Sequence, residues 1–198
     1  MSPPSAAALR RTKRSARRAL TPAEQHSHAR AVARQIAVSK LLLCFQRFAV
    51  YAPSDGELDP SPIADRLLAA HKVVALPVVE HDRRLSFYRY RSDTPLVHNR
   101  FGITEPDSRA ATYVPTATLD VVLMPLVAFD DEGYRLGMGG GFYDATFSRR
   151  RPLLIGLAHE LQHSNAVPHR RWDVPLDAVV TERAARGFTI RGRPFTTA

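Results

Sequence analysis

Asp120-Val-Val-Leu-Met-Pro-Leu-Val-Ala-Phe129 is the strongest apolar run in the chain. Val121 to Met124 shows no polar alternation, which is the pattern of a central strand buried on both faces. Similar short runs recur on either side. Phe48-Ala-Val-Tyr51, Val73 to Val79, Leu153-Leu-Ile-Gly-Leu-Ala158 and Ala178-Val-Val-Thr181 each read as a strand. Leu85 and Phe87 alternate with polar positions, as in a half-buried strand. Helical segments lie between them. Asp59-Pro60-Ser61-Pro62 opens one that runs through Ile63, Leu67 and Leu68, and another is expected from Phe142 to Arg149. Strands alternating with helices predict an α/β fold: three layers, α/β/α, with an open, largely parallel sheet covered by helices on both faces. Tyr90 to Thr118 reads as loop.

The N-terminal part is helical and basic. Ala6 to Leu20 reads as one helix. Thr21-Pro22-Ala23-Glu24 then starts a second, with Thr21 as cap, Pro22 at the first position and Glu24 closing a capping box. This second helix runs to about Ser39, with Val32 and Ile36 in its apolar stripe. The 198 residues are expected to form one domain, 1–198, with this basic helical segment at 6–39.

Charge is concentrated there. The chain carries a formal +9, yet residues 1–34 hold eight basic side chains against Glu24 alone, or +7. The remaining 164 residues carry 20 basic and 18 acidic groups, or +2. Such a segment attracts anions, either a nucleic acid or the phosphates of a nucleotide, or it is a solvated helix face. No aromatic residue precedes Phe45, so nothing in the segment stacks on exposed bases, which weakens the nucleic-acid reading. Cys44 is the single cysteine, so an intrachain disulfide and a cysteine zinc cluster are both excluded. No run approaches the length of a membrane helix, and no secretory apolar segment opens the chain. A cytoplasmic monomer without nucleic-acid or membrane partners is the expectation.

The chemistry is concentrated in Gly133-Tyr-Arg-Leu-Gly-Met-Gly-Gly-Gly-Phe-Tyr-Asp144, directly after the central run and before a helix. Four of the ten glycines, Gly137, Gly139, Gly140 and Gly141, fall within five residues. Dense glycine lets backbone amides approach an anion, at the carboxyl end of a strand where α/β sheets bind ligands. The Gly-Lys-Ser/Thr of a Walker A loop is absent, and Phe142 breaks the dinucleotide fingerprint. The alternatives are a phosphate loop of another type and a tight structural turn. Arg135 can neutralise phosphate, and Asp144 can either hold a magnesium ion or cap the following helix. His159-Glu160-Leu161-Gln162-His163 matches the letters of the zinc-peptidase helix motif, but it directly follows a strand.

In order along the chain stand Tyr51-Ala-Pro, Gly56-Glu-Leu-Asp59, Leu76-Pro77, Phe101-Gly-Ile-Thr-Glu-Pro106, Arg135-Leu-Gly-Met-Gly-Gly-Gly-Phe-Tyr-Asp144, Ile155-Gly-Leu-Ala158 and Trp172-Asp-Val-Pro-Leu-Asp177. This series resembles the 5-formyltetrahydrofolate cyclo-ligase family over nearly the whole chain. The resemblance implies a sheet fold like that of the ribose-phosphate isomerase and CoA-transferase group. It implies a ligase that uses ATP and magnesium to convert 5-formyltetrahydrofolate to 5,10-methenyltetrahydrofolate, with ADP and phosphate released. Carried over residue by residue, it implies that Arg135, Leu136, Gly137, Met138, Gly139, Gly140, Gly141, Phe142 and Tyr143 bind ATP, with Arg10 from the N-terminal helix. It implies Asp144 and Asp173 as metal ligands, Arg135 and Asp144 as the catalytic pair, and Ala52, Glu57 and Tyr143 as folate contacts. The family often has a lysine where Ala6 stands; either a neighbour such as Arg14 substitutes as an ATP contact, or the N-terminal phosphate contact is weaker. Phe142 stands where tyrosine is common.

Overall fold

The computed structural model describes residues 5–148 and 152–188. Two helices come first. α1 (Ala6–Arg18) is capped by the Ser5 side chain, and α2 (Pro22–Val38) begins with the expected capping box. The Thr21 hydroxyl accepts the Glu24 amide, and the Glu24 carboxylate accepts the Thr21 amide at 2.8 Å. A single turn, α3 (Leu41–Cys44), leads into strand β1 (Arg47–Ala49). Helix α4 (Ser61–Ala69) then returns the chain to β2 (Val73–Val79), and β3 (Leu85–Arg89) folds back beside it.

The segment read as loop contains a small hairpin, β4 (Leu96–His98) with β5 (Thr104–Pro106), and an edge strand, β6 (Tyr113–Val114). These strands are two or three residues long, too short to show a period of two. The central run forms β7 (Val121–Pro125), followed by a second hairpin, β8 (Ala128–Phe129) with β9 (Arg135–Leu136). Then come α5 (Phe142–Phe147), β10 (Leu153–Leu157), β11 (Ala178–Val180) and β12 (Ala185–Gly187). The C-terminal end expected for the helix after the glycine loop, Arg149, lies outside the described residues.

The main sheet has eight strands in the order β12-β11-β10-β7-β1-β2-β3-β6. The five in the middle, β11 to β2, are parallel, β12 and β3 run antiparallel to them, and β6 pairs antiparallel with β3. Alternation along β7 splits the core in two. Val121 and Leu123 face Val32 and Ile36 of α2 and Ile63 and Leu67 of α4. Val122 and Met124 face Phe147 of α5, Phe87, Leu176 and Phe188. The second outer layer is therefore thin, made of one short helix and the loops around it. Pro77 sits in β2 opposite Phe87 of β3, past the end of the β1 register at Ala75, so no strand asks for its missing amide on that side.

Parallel strands send their connecting loops to the same edge. After β1, β7 and β10 the chain emerges at 50–60, 126–141 and 158–177, and α1 lies across that carboxyl edge. Leu9 packs with Ala128, Leu136 and Val167 there. Arg17 is fully buried. Its Nε donates to the Asp55 carbonyl at 2.8 Å, one terminal nitrogen donates to the Leu126 carbonyl at 3.0 Å, and the other pairs with the Asp55 carboxylate at 2.7 Å. Arg14 and Arg18 pair with the same carboxylate. Gly56 makes this approach possible: its φ is +73°, and a Cβ there would lie 3.1 Å from the Arg17 carbonyl oxygen.

Burial alone would push the Asp55 pKa up, but the three guanidiniums hold it well below the usual carboxylate range. A carboxyl whose folded pKa is depressed stabilises the fold above its unfolded pKa and loses that contribution as pH falls further. We predict that Asp55→Asn, which takes from buried Arg17 its closest counter-charge and leaves only Glu57 at 3.6 Å, lowers stability by about 3 kcal/mol at neutral pH. The deficit relative to the parent should shrink below about pH 4, where this carboxyl begins to protonate in the unfolded chain while it stays ionised in the folded one. Urea unfolding at pH 7 and pH 3 checks both statements, and equal midpoints for the two proteins at pH 7 would refute them.

Candidate active site

The glycine segment hangs from β9, held beside β8, at the carboxyl edge beyond β7. Asp130 shapes the hairpin. One of its oxygens accepts the Glu132 and Tyr134 amides, and the other accepts the Val167 amide at 2.9 Å. Gly137 to Gly141 follow as loop, and Gly141 occupies the N-cap position of α5 with φ +69°. No side-chain cap is present at that end. α5 is only six residues long, so the amides on offer belong to the loop and first turn rather than to a long dipole.

Arg10 reaches this loop from α1. Its Nε donates to the Gly137 carbonyl at 2.8 Å, and its guanidinium lies beside Gly139. Lys13, one turn on, donates to the Leu161 carbonyl at 2.7 Å and also to that of His163. Arg14 is drawn elsewhere. Its guanidinium makes a two-point contact with Asp55, at 2.8 and 3.2 Å, so as built it braces the 52–59 loop.

Arg135 and Asp144 form an ion pair at 2.8 Å. The Arg135 side chain is nearly buried and also donates to the Val174 carbonyl. The Val174 amide in turn donates to Asp144 at 3.0 Å. Arg135, Asp144 and the 173–174 backbone thus close a ring joining β9, α5 and the segment before β11. Asp173, the second expected metal ligand, sits in this segment next to Val174. Its carboxylate accepts the Arg170 amide at 2.8 Å.

Glu57, in the loop after β1, and Tyr143, in the first turn of α5, are close enough for the Glu57 charge to act on the phenol. Burial raises the Glu57 pKa, against the lowering influence of Arg17, 3.6 Å away, and of the Ser54 amide. Burial also raises the Tyr143 phenol, and the Glu57 charge adds to the effect. Ala52 lies half-buried at the start of the Glu57 loop. The geometry therefore brings together two groups of expected residues. Arg10, Arg135, Asp144 and the glycines converge at the loop, and Glu57 and Tyr143 face one another beside it.

The 5-formyltetrahydrofolate cyclo-ligase family matches residues 3–182 of this chain. The chain belongs to that family. The 5-formyltetrahydrofolate cyclo-ligase of Escherichia coli K12 is 40% identical over 173 residues, covering 85% of this chain and 95% of that protein. The solved 5,10-methenyltetrahydrofolate synthetase of Aquifex aeolicus superposes with a TM-score of 0.78 at 34% identity, covering 93% of each chain. The synthetase of Mycoplasma pneumoniae gives 0.74 at 23% identity over 90% of this chain and 99% of that one, a likeness of fold. The protein is thus a ligase of the cyclo-ligase family.

Arg17, Asp55, Lys13 and Gln162 also build this cyclo-ligase site, and none was singled out as a site residue from the sequence. Gln162 is buried and spans the edge. Its amide nitrogen donates to the Leu126 carbonyl at 2.6 Å, and its oxygen accepts the His159 amide at 2.9 Å. A signal for the α1 residues did exist: Arg10, Lys13, Arg14 and Arg17 recur at the three- and four-residue spacing of one helix face. The zinc-peptidase letters do not form their helix. Glu160–Gln162 is one 3₁₀ turn, and His163 pairs with Asp131 at 3.0 Å, away from His159.

The Gly141 conformation gives a clean test. A Cβ at this position would meet nothing within 4 Å, so a substitution costs only the left-handed backbone. Gly141→Ala should lower stability by about 1 kcal/mol, read as a shifted denaturation midpoint with an unchanged slope. An unshifted midpoint would show that the loop relaxes out of this conformation.

Proposed function

We propose that the protein is an ATP- and magnesium-dependent cyclo-ligase. It closes 5-formyltetrahydrofolate to 5,10-methenyltetrahydrofolate and releases ADP and phosphate. The family match over residues 3–182 carries this reading. The convergence of Arg10, the glycine loop and the Arg135–Asp144 pair supports it.

The chemical difficulty is a poor leaving group. A formamide carbonyl is stable to attack by the neighbouring N10 amine, because its oxygen cannot depart. Transfer of the γ-phosphoryl to the formyl oxygen makes that oxygen a good leaving group and the carbon electrophilic. N10 then adds to the carbon and loses its proton, and the C–O bond breaks with phosphate leaving. Such a transfer requires positioning and charge neutralisation more than a protein nucleophile. The glycine amides and Arg10 would cradle the phosphates, and Arg135 would balance charge developing between the reactants. Glu57 and Tyr143 would orient the pterin, with Ala52 leaving room for it. A pterin seated against these half-buried side chains would exclude water, which otherwise competes with N10 for the activated carbon.

Asp144 and Asp173 suit a magnesium ion as oxygen donors. Both bonds that Asp144 accepts fall on Oδ1, so among the described residues Oδ2 stays available. Asp173 likewise uses one oxygen internally, for the Arg170 amide. Magnesium needs only one or two protein carboxylates when phosphates complete its shell. When bound, it neutralises phosphate charge.

Purified protein with ATP, magnesium and 5-formyltetrahydrofolate should generate the methenyl absorbance in step with ADP, and neither should appear without magnesium. Absence of both signals from folded protein would overturn the assignment. Asp144→Asn keeps the acceptor for Arg135 and Val174 but removes charge, and should cut kcat by about 100-fold or more with circular dichroism unchanged. Glu57→Gln should raise the KM for the folate about tenfold and leave that for ATP within about twofold. An unchanged folate KM would remove Glu57 from the pocket.

A further inference from the structure

His159 is fully buried, and its Nε2 has no hydrogen-bond partner among the described residues. Its other nitrogen, Nδ1, lies 2.9 Å from Nδ1 of His28 on α2. The Glu182 carboxylate, just past β11, lies 3.9 Å from the same His28 atom. One donor atom from each of the three residues falls within 4.8 Å of the others. The three groups come from separate elements: α2, the turn after β10 and the turn after β11.

We propose that His28 Nδ1, His159 Nδ1 and Glu182 form a binding site for a divalent transition-metal ion of the zinc type, separate from the magnesium chemistry of the glycine loop. Two imidazoles and one carboxylate are the donor set that such ions select, and magnesium does not. Bonds of about 2.1 Å at a tetrahedral angle put two nitrogens about 3.4 Å apart, so the imidazoles need to part by only about half an ångström. The carboxylate is already oriented, because its Oε2 accepts the Glu160 amide at 2.9 Å. The Gln162 amide, which faces the His159 ring, keeps its bond to the His159 carbonyl at 2.9 Å when the ring turns to an ion. Three protein ligands leave one tetrahedral position for solvent. The His28 and Glu182 side chains are 21% and 15% exposed, so an ion has a way in. Two guanidiniums act on these ligands, Arg17 on His159 and Arg186 on Glu182, and each is paired with a carboxylate of its own, Asp55 and Glu160. An ion here would tie α2 to the carboxyl ends of β10 and β11, next to the α1 clamp.

Tag-free protein, stripped with a chelator, is titrated with cobalt(II) in excess magnesium. One cobalt per chain should bind, with the visible bands of a low-coordinate nitrogen–oxygen site. Zinc should displace it stoichiometrically. Zinc at a hundredfold excess over its Kd should raise the melting temperature by about 5 °C or more. His28→Ala and Glu182→Gln remove partly exposed ligands and leave buried His159 in place, so both should fold and melt near the parent without metal. Each should weaken cobalt binding by more than the roughly 10- to 100-fold that loss of an outer partner costs. No saturable cobalt signal, or binding undiminished in both variants, would overturn the site.

Discussion

Arg17 sets the arrangement on which the active site depends. A guanidinium with no exposed surface is tolerable only if its charge and its donors are answered, and the answers come from two loops, through the Asp55 carboxylate and carbonyl and the Leu126 carbonyl. Meeting that requirement fixes α1 against the carboxyl edge of the sheet. It fixes the 52–59 loop as well, since Asp55 cannot move without stranding the charge. Ala52 and Glu57, two of the three residues proposed for folate contact, lie within a few residues of Asp55, and Arg10 of α1 itself bonds the glycine loop proposed for nucleotide contact. The fixed geometry therefore comes from an ion cluster at the loop edge more than from the apolar core below it.

The same cluster explains the basic N-terminal segment. Of its eight cationic side chains, Arg14, Arg17 and Arg18 converge on Asp55, while Arg10 and Lys13 donate to backbone carbonyls of the glycine loop and of the 161–163 turn. Five of the eight thus hold loops in place. Arg11, Arg30 and Arg34 are exposed. A charge excess that reads in the sequence as a magnet for polyanions is largely an internal device. Arg10 brings part of the remaining charge to the glycine loop.

How much of this was legible follows from the range of each signal. The parallel strands were legible because each is a continuous apolar run set by its own neighbours, and the capping box at Thr21 because its partners lie three residues apart. The 90–118 region was not, since strands of two or three residues have no measurable period and exist only because β3 and the hairpin partner supply hydrogen bonds. The glycine loop was found by composition, and Arg135 and Asp144 by flanking it, but their mutual pairing through Val174 depends on a segment thirty residues on. Arg14 illustrates the limit most sharply. Spacing places it on the same helix face as Arg10, yet the choice between a phosphate and Asp55 is made by a carboxylate forty-one positions away.

The Arg135–Asp144 pair also constrains how the site can work. A carboxylate already bonded to a guanidinium and an amide is held in one orientation before any ligand arrives, which lowers the ordering cost of binding. It is also a weaker donor to a cation, because Arg135 withdraws charge from it. In the phosphoryl transfer proposed above, that weakness would be useful. An ion held too firmly by protein would remain bound to the departing phosphates and slow release, whereas one held mainly by the nucleotide leaves with it. The thin second layer around α5 fits this economy, because a short helix anchored by Thr146 to β3 and by Asp144 to Val174 is positioned at two points rather than by a deep apolar face. Rigidity is thus placed at the reacting centre, and the surrounding layer stays light.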